Sequence, residues 1–75
     1  MNNVSSIDFE LRGAFITLDS LLKVTCVADS GGAAKAMIAR GDVQVDGQQE
    51  LRKTCKIRAG QVVSVGGMRI VVRAA

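Results

Sequence analysis

The densest chemistry in this 75-residue sequence lies in Arg52-Lys53-Thr54-Cys55-Lys56-Ile57-Arg58, where four cationic side chains fall within seven positions. Arg can grip a phosphate through two parallel N–H bonds, and Lys supplies a mobile point charge. If the segment is extended, Arg52, Lys56 and Arg58 share a parity and therefore a face, with Lys53 on a flexible approach to it. Four further features could add to an anion-holding surface. Lys35 sits on the flank of a helical segment near Gly31. Arg40 lies about 140° around that same helix, at about 100° per residue, so it ranks below Lys35. Ser30-Gly31-Gly32 opens the helix, where bare N–H groups and the positive dipole end favour a phosphate; the competing reading is a plain N-cap followed by glycines that allow close packing. Lys23, pointing away from an apolar stripe, completes the set.

Other chemistries find little support. The chain has no His, the commonest general base and a frequent metal ligand. Cys26 and Cys55 are isolated, form no C-x-x-C pair, and leave no Cys–His or Ser–His–Asp arrangement for nucleophilic attack. The expectation is therefore no enzyme, no metal, no cofactor, no small-molecule substrate, and two free thiols in a reducing cytoplasm. No apolar run approaches the roughly 18 residues of a membrane span. The opening MNNVSSIDFELR has neither the basic nor the apolar region of a secretory signal.

The net charge of +3 conceals a split. Residues 1–50 carry all seven acids against four bases, a balance of −3, while residues 51–75 carry six bases and no acid. Such a one-sided field attracts polyanions whatever the net charge. The competing reading is a solvated surface that keeps a small protein soluble.

The elements that must position these residues are legible from periodicity. Ile7 to Arg12 alternates apolar and polar as a half-buried strand does. Thr17 offers an N-cap, and Leu18, Leu21, Leu22 and Thr25 form one stripe of an amphipathic helix. Ser30 is a second N-cap candidate, Ala33 to Arg40 reads as helix with Ala34, Met37 and Ile38 inward, and Gly41 stands where a glycine ends one. The short connection makes the helices neighbours. Beyond Asp42 the period becomes two. Val43 and Val45 alternate with Gln44, and Asp46-Gly47 signals a tight turn. Cys55 and Ile57 face inward, with Lys56 and Arg58 outward. Gly66-Gly67 then closes a hairpin that pairs Val63 with Ile70 and Val65 with Met68. The expected architecture is α+β: one small domain over residues 1–75, a helix pair packed on a small, mostly antiparallel sheet. Its only aromatics, Phe9 and Phe15, are expected in the core, leaving recognition to phosphates and shape rather than base stacking.

The stretch 17–65 resembles the RNA-binding domain named after small-subunit ribosomal protein four, also called the alpha-L RNA-binding motif. The resemblance is carried by Leu18-Asp19 with Leu21-Leu22, Ser30, then Ala34, Lys35 and Ile38. It continues through Gly41-x-Val43-x-Val45-x-Gly47 and ends with Lys56-Ile57-x-x-Gly60. It is similar above all to short, stand-alone bacterial members. What the resemblance implies is non-catalytic binding of structured RNA through the helix pair and the adjoining basic strand and loop. The family often has Arg where this chain has Thr17 and Gly31, which shifts the expected contacts toward 52–58. It commonly has Asn at Asp46 and Gly-Asp at Gly60-Gln61. The reading is a cytoplasmic, monomeric binder of structured RNA. The alternative is an assembly adaptor whose basic face meets an acidic protein; binding of double-stranded DNA by the helix pair is weaker, since Lys35 and Arg40 make no row of base-reading side chains.

Overall fold

The hairpin read from Gly66-Gly67 forms in the expected register, Val63 opposite Ile70 and Val65 opposite Met68. A five-stranded sheet grows from it. The structure, a computed structural model, describes residues 5–75. In chain order the elements are β1 (Ser5–Leu11), β2 (Ile16–Thr17), α1 (Leu18–Val24), α2 (Gly31–Ala39), β3 (Val43–Val45), β4 (Gln48–Gln49), β5 (Lys56–Ile57), β6 (Val62–Val65) and β7 (Met68–Ala74). The main sheet runs β1-β7-β6-β3-β4, and β2 pairs with β5 in a separate ribbon. Three of the main sheet's pairings are antiparallel; β1 lies parallel to β7, with Ile7 opposite Ile70 and Phe9 opposite Val72. The first and last described strands thus pair with each other.

Alternation decides which face of the sheet is inward. Val43, Val63, Ile70 and Val72 are buried and meet Leu18, Leu21 and Leu22 of α1 and Ala34 and Ile38 of α2. Each fully buried Leu or Ile contributes about 1.5–3 kcal/mol relative to exposure. Ile57 of the small ribbon joins the same core, so β5 is anchored by one buried side chain between two exposed cations.

Both helices end through a left-handed residue. Gly41 takes φ 84° after α2, as expected; after α1 the position falls to Cys26, at φ 61°. Thr25 is the C-cap and not part of the helical stripe: its Oγ1 donates to the Leu21 carbonyl at 2.7 Å. The Asp46-Gly47 turn has φ of 51° and 83°, both positive as a two-residue hairpin of this hand requires.

Phe15 is corrected. Phe9 packs against the core, whereas Phe15 stays 41% exposed and takes no part in it. The signal was local: Ile16 points inward, so the residues on either side of it point out.

Candidate nucleic-acid interface

The β2–β5 ribbon places Ile16 opposite Ile57 and Thr17 opposite Lys56. Opposed residues of an antiparallel pair share a face, and successive residues alternate. With Ile57 inward, Thr17 and Lys56 point out, and Phe15 and Arg58, one step further along, point out with them. The side chains bear this register out. Lys56 Nζ lies 4.9 Å and Arg58 Cζ 6.0 Å from the Phe15 ring centroid. At an exposed site each cation–π contact of this kind is worth about 0.5–1 kcal/mol.

The ribbon continues into the first turn of α1. Thr17 is the N-cap residue, but its hydroxyl donates to Ser20 Oγ and caps no backbone N–H. The free N–H groups of Leu18 and Asp19 donate instead to the carbonyls of Cys55 and Lys53, at 2.9 and 3.0 Å. The basic loop is thus the cap of α1, and its backbone is fixed by a helix that buries three leucines.

Arg52 departs from the sequence expectation. Cys55 N–H donates to the Arg52 carbonyl at 3.2 Å, a turn that breaks the extended run, so the parity that joined Arg52 to Lys56 and Arg58 does not hold. Its guanidinium folds back on Glu50: Nε donates to Oε2 at 3.0 Å and Nη2 to Oε1 at 3.3 Å. Glu50's side chain is 17% exposed and that of Arg52 76%, so the pair sits at the surface. The Arg52 guanidinium and its backbone N–H together hold the Glu50 carboxyl lowered to about 2, against a smaller opposing effect of burial. Arg52 is correspondingly raised, chiefly by its hydrogen bond to Glu50. Burial, then the Glu50 charge, pushes the Cys55 thiol up, which keeps it protonated and a poor nucleophile. A shallow cleft of about 330 Å³ lined by Arg52, Thr54, Cys55 and Lys56 opens beside this pair.

Arg40 is likewise engaged: its guanidinium meets Asp42 Oδ2 at 2.9 Å. Arg73 meets Asp8 at 3.4 Å. Lys23, Lys35, Lys53, Lys56 and Arg58 are exposed, and among the described residues none has a carboxylate within ion-pair distance. They do not form one patch by contact. Lys56 and Arg58 share a face and Lys53 lies in the loop just before them. Lys23 is in the last turn of α1, about 6–8 Å along the helix from the Leu18 and Asp19 amides that the loop caps, at 1.5 Å per residue. Lys35 stands on α2, and Ser30 caps α2 by accepting from the Ala33 N–H at 3.1 Å. A Cβ on Gly31 would meet nothing within 4 Å, and one on Gly32 only the Ser30 hydroxyl at 3.8 Å. Close helix packing is therefore not why the glycines stand there. Among the described residues no group of three or more His, Cys, Asp or Glu side chains gathers to hold a metal ion. No helix among the described residues is long and apolar enough to cross a membrane.

This arrangement of two helices and a small sheet recurs in known proteins. The S4 domain matches residues 9–73. This chain belongs to the S4 domain family. Among its relatives is YbcJ of Escherichia coli (strain K12), 49% identical over 57 residues that span 76% of this chain and 81% of YbcJ. The protein named "Probable ribosome maturation protein RlbA" of Bacillus subtilis (strain 168) is 37% identical over 67 residues, 89% of each chain. The solution structure of E. coli YbcJ, described as revealing an alpha-L motif involved in RNA binding, superposes with a TM-score of 0.65 at 42% identity. The superposition covers 99% of this chain and 92% of that one.

Asp46 and Gln61, both singled out in the sequence, are hydrogen-bond partners. Asp46 Oδ1 accepts from the Val62 N–H at 2.9 Å, and its Oδ2 from Gln61 Nε2 at 3.2 Å. Gln61 Oε1 in turn accepts from the Arg58 N–H at 2.8 Å. The bridge ties the 46–47 turn to the end of β5 and so fixes the backbone that carries Arg58.

Proposed function

We propose that this S4 domain binds structured RNA, without catalysing a reaction on it, through the outward face of the β2–β5 ribbon and the loop before it. One observation carries the reading: Lys56 and Arg58 stand on one rigid face with no carboxylate partner among the described residues. An ion pair already satisfied within the protein attracts a phosphate weakly; an unpaired cation on a fixed backbone attracts it fully. Lys53 extends the same positive surface, with Lys35, Lys23 and the Ser30-Gly31 helix start as flanking contributors. Arg52 and Arg40 contribute less, because Glu50 and Asp42 hold them.

The names of the relatives support the same direction, one through an RNA-binding motif and the other through ribosome maturation. Folded ribosomal RNA is therefore the first ligand to try, with the protein acting as a monomer in the cytoplasm. The test is reversal of Lys53, Lys56 and Arg58 to Glu together, followed by a gel shift with a labelled RNA stem-loop. Binding should vanish while the circular dichroism spectrum keeps its native shape. Retention equal to the parent protein overturns the proposal. A partner recovered from extracts that survives nuclease treatment points instead to an acidic protein.

A further inference from the structure

We propose that Phe15 is a stacking platform for one unpaired base of a bound RNA, with Lys56 and Arg58 holding the phosphates on either side of that base. This rests on the RNA-binding reading and narrows its ligand to folded RNA that presents an unpaired nucleotide beside a stem.

Exposure of Phe15 is the first support. The chain has two aromatic side chains, and one of them, 41% exposed, is kept out of the core that takes the other. The surroundings are the second. Both cations nearest the ring, at 4.9 and 6.0 Å, are free of carboxylates among the described residues. An acidic protein would satisfy the cations and leave the ring uncovered, and an apolar partner would do the reverse. A nucleotide offers a flat π-face and a negative charge a few bonds away, and so satisfies both. Rigidity is the third. Phe15 immediately precedes Ile16, which is paired with the buried Ile57, and the next residues enter an α-helix whose first N–H groups are fixed by the Cys55 and Lys53 carbonyls. A platform held this way loses little freedom when a base settles on it. Stacking of one base is worth at least as much as the two exposed cation–π contacts together, and the flanking phosphates give the cations new partners, so Lys56 and Arg58 can swing from the ring when the base arrives.

The experiment compares a blunt RNA duplex with the same duplex carrying one bulged 2-aminopurine nucleotide, both followed by fluorescence anisotropy. The parent protein should prefer the bulged duplex. Phe15→Leu keeps apolar bulk but no ring, and should weaken binding to the bulged duplex by about 5- to 140-fold while leaving the blunt duplex unchanged. Phe15→Tyr should restore the preference, and 2-aminopurine emission should respond to the parent and Tyr proteins but not to the Leu variant. Thermal unfolding of each variant checks that the exposed position has been changed without loss of fold. Equal affinity of the parent for both duplexes, unaltered in Phe15→Leu, overturns the platform and leaves RNA binding standing. Failure to bind either duplex overturns both.

Discussion

The distinction between held and free cations can be measured through salt. Arg52 and Lys56 are four positions apart and both exposed, yet one is locked to a carboxylate by two hydrogen bonds and the other is not. Binding a phosphate with Lys56 releases counterions from the nucleic acid. Binding one with Arg52 first requires breaking the Glu50 fork, and then leaves that carboxylate facing the phosphate. Counting Lys53, Lys56 and Arg58 as the phosphate contacts, affinity should fall with salt at a log–log slope of about −2.1 to −2.7, at about 0.7–0.9 per contact. Lys56→Ala should make the slope shallower by about 0.7–0.9, a loss of about threefold in the salt sensitivity between 50 and 200 mM. Arg52→Ala should leave it unchanged. Glu50→Gln should steepen it by about one contact's worth, and Glu50→Gln with Arg52→Ala should return it to the parent value. The assay is anisotropy of a labelled RNA stem-loop titrated at four KCl concentrations. The reasoning is refuted if Arg52→Ala flattens the slope as much as Lys56→Ala does, or if Glu50→Gln changes nothing.

Three further outcomes can be read from unfolding. Glu50 has its carboxyl lowered to about 2 from the 4.5 of the free group; a depressed carboxyl stabilises the fold above the higher value and loses that contribution as pH falls through the lower one. The stability gap between the parent and Glu50→Gln should therefore be constant from neutrality to about pH 5 and shrink progressively as pH falls from 4.5 toward about 2, by urea unfolding; a gap undiminished at pH 2 rejects the Arg52 fork as its source. At the two helix ends, Gly41→Ala should destabilise by about 1–2 kcal/mol, since φ 84° is left-handed, and its new Cβ would also displace the Gln49 amide that donates to the Gly41 carbonyl. Cys26→Gly, relieving the equivalent position after α1, should stabilise by up to about 1 kcal/mol; the opposite ordering in urea midpoints would reject the backbone argument.

What the amino-acid sequence determined by itself is what short range can encode. A period of two fixed the 63–70 and 65–68 pairs, the Asp46-Gly47 turn declared its own left-handed residues, and Ser30 and Gly41 bracketed α2. Ile57 between Lys56 and Arg58 carried its orientation in its own alternation. Tertiary structure decided the rest. That β1 lies parallel to β7 depends on residues more than sixty positions apart, which no local pattern specifies. Arg52 looked free because its parity was read along an extended strand, and a turn folded it onto Glu50. Phe15 looked like core because aromatic residues usually are, yet the pairing of Ile16 with Ile57 turned it outward beneath two cations. Apolar spacing sets which residues can be buried; which charges stay available, and which ring stays open, depends on neighbours that only the folded chain brings together.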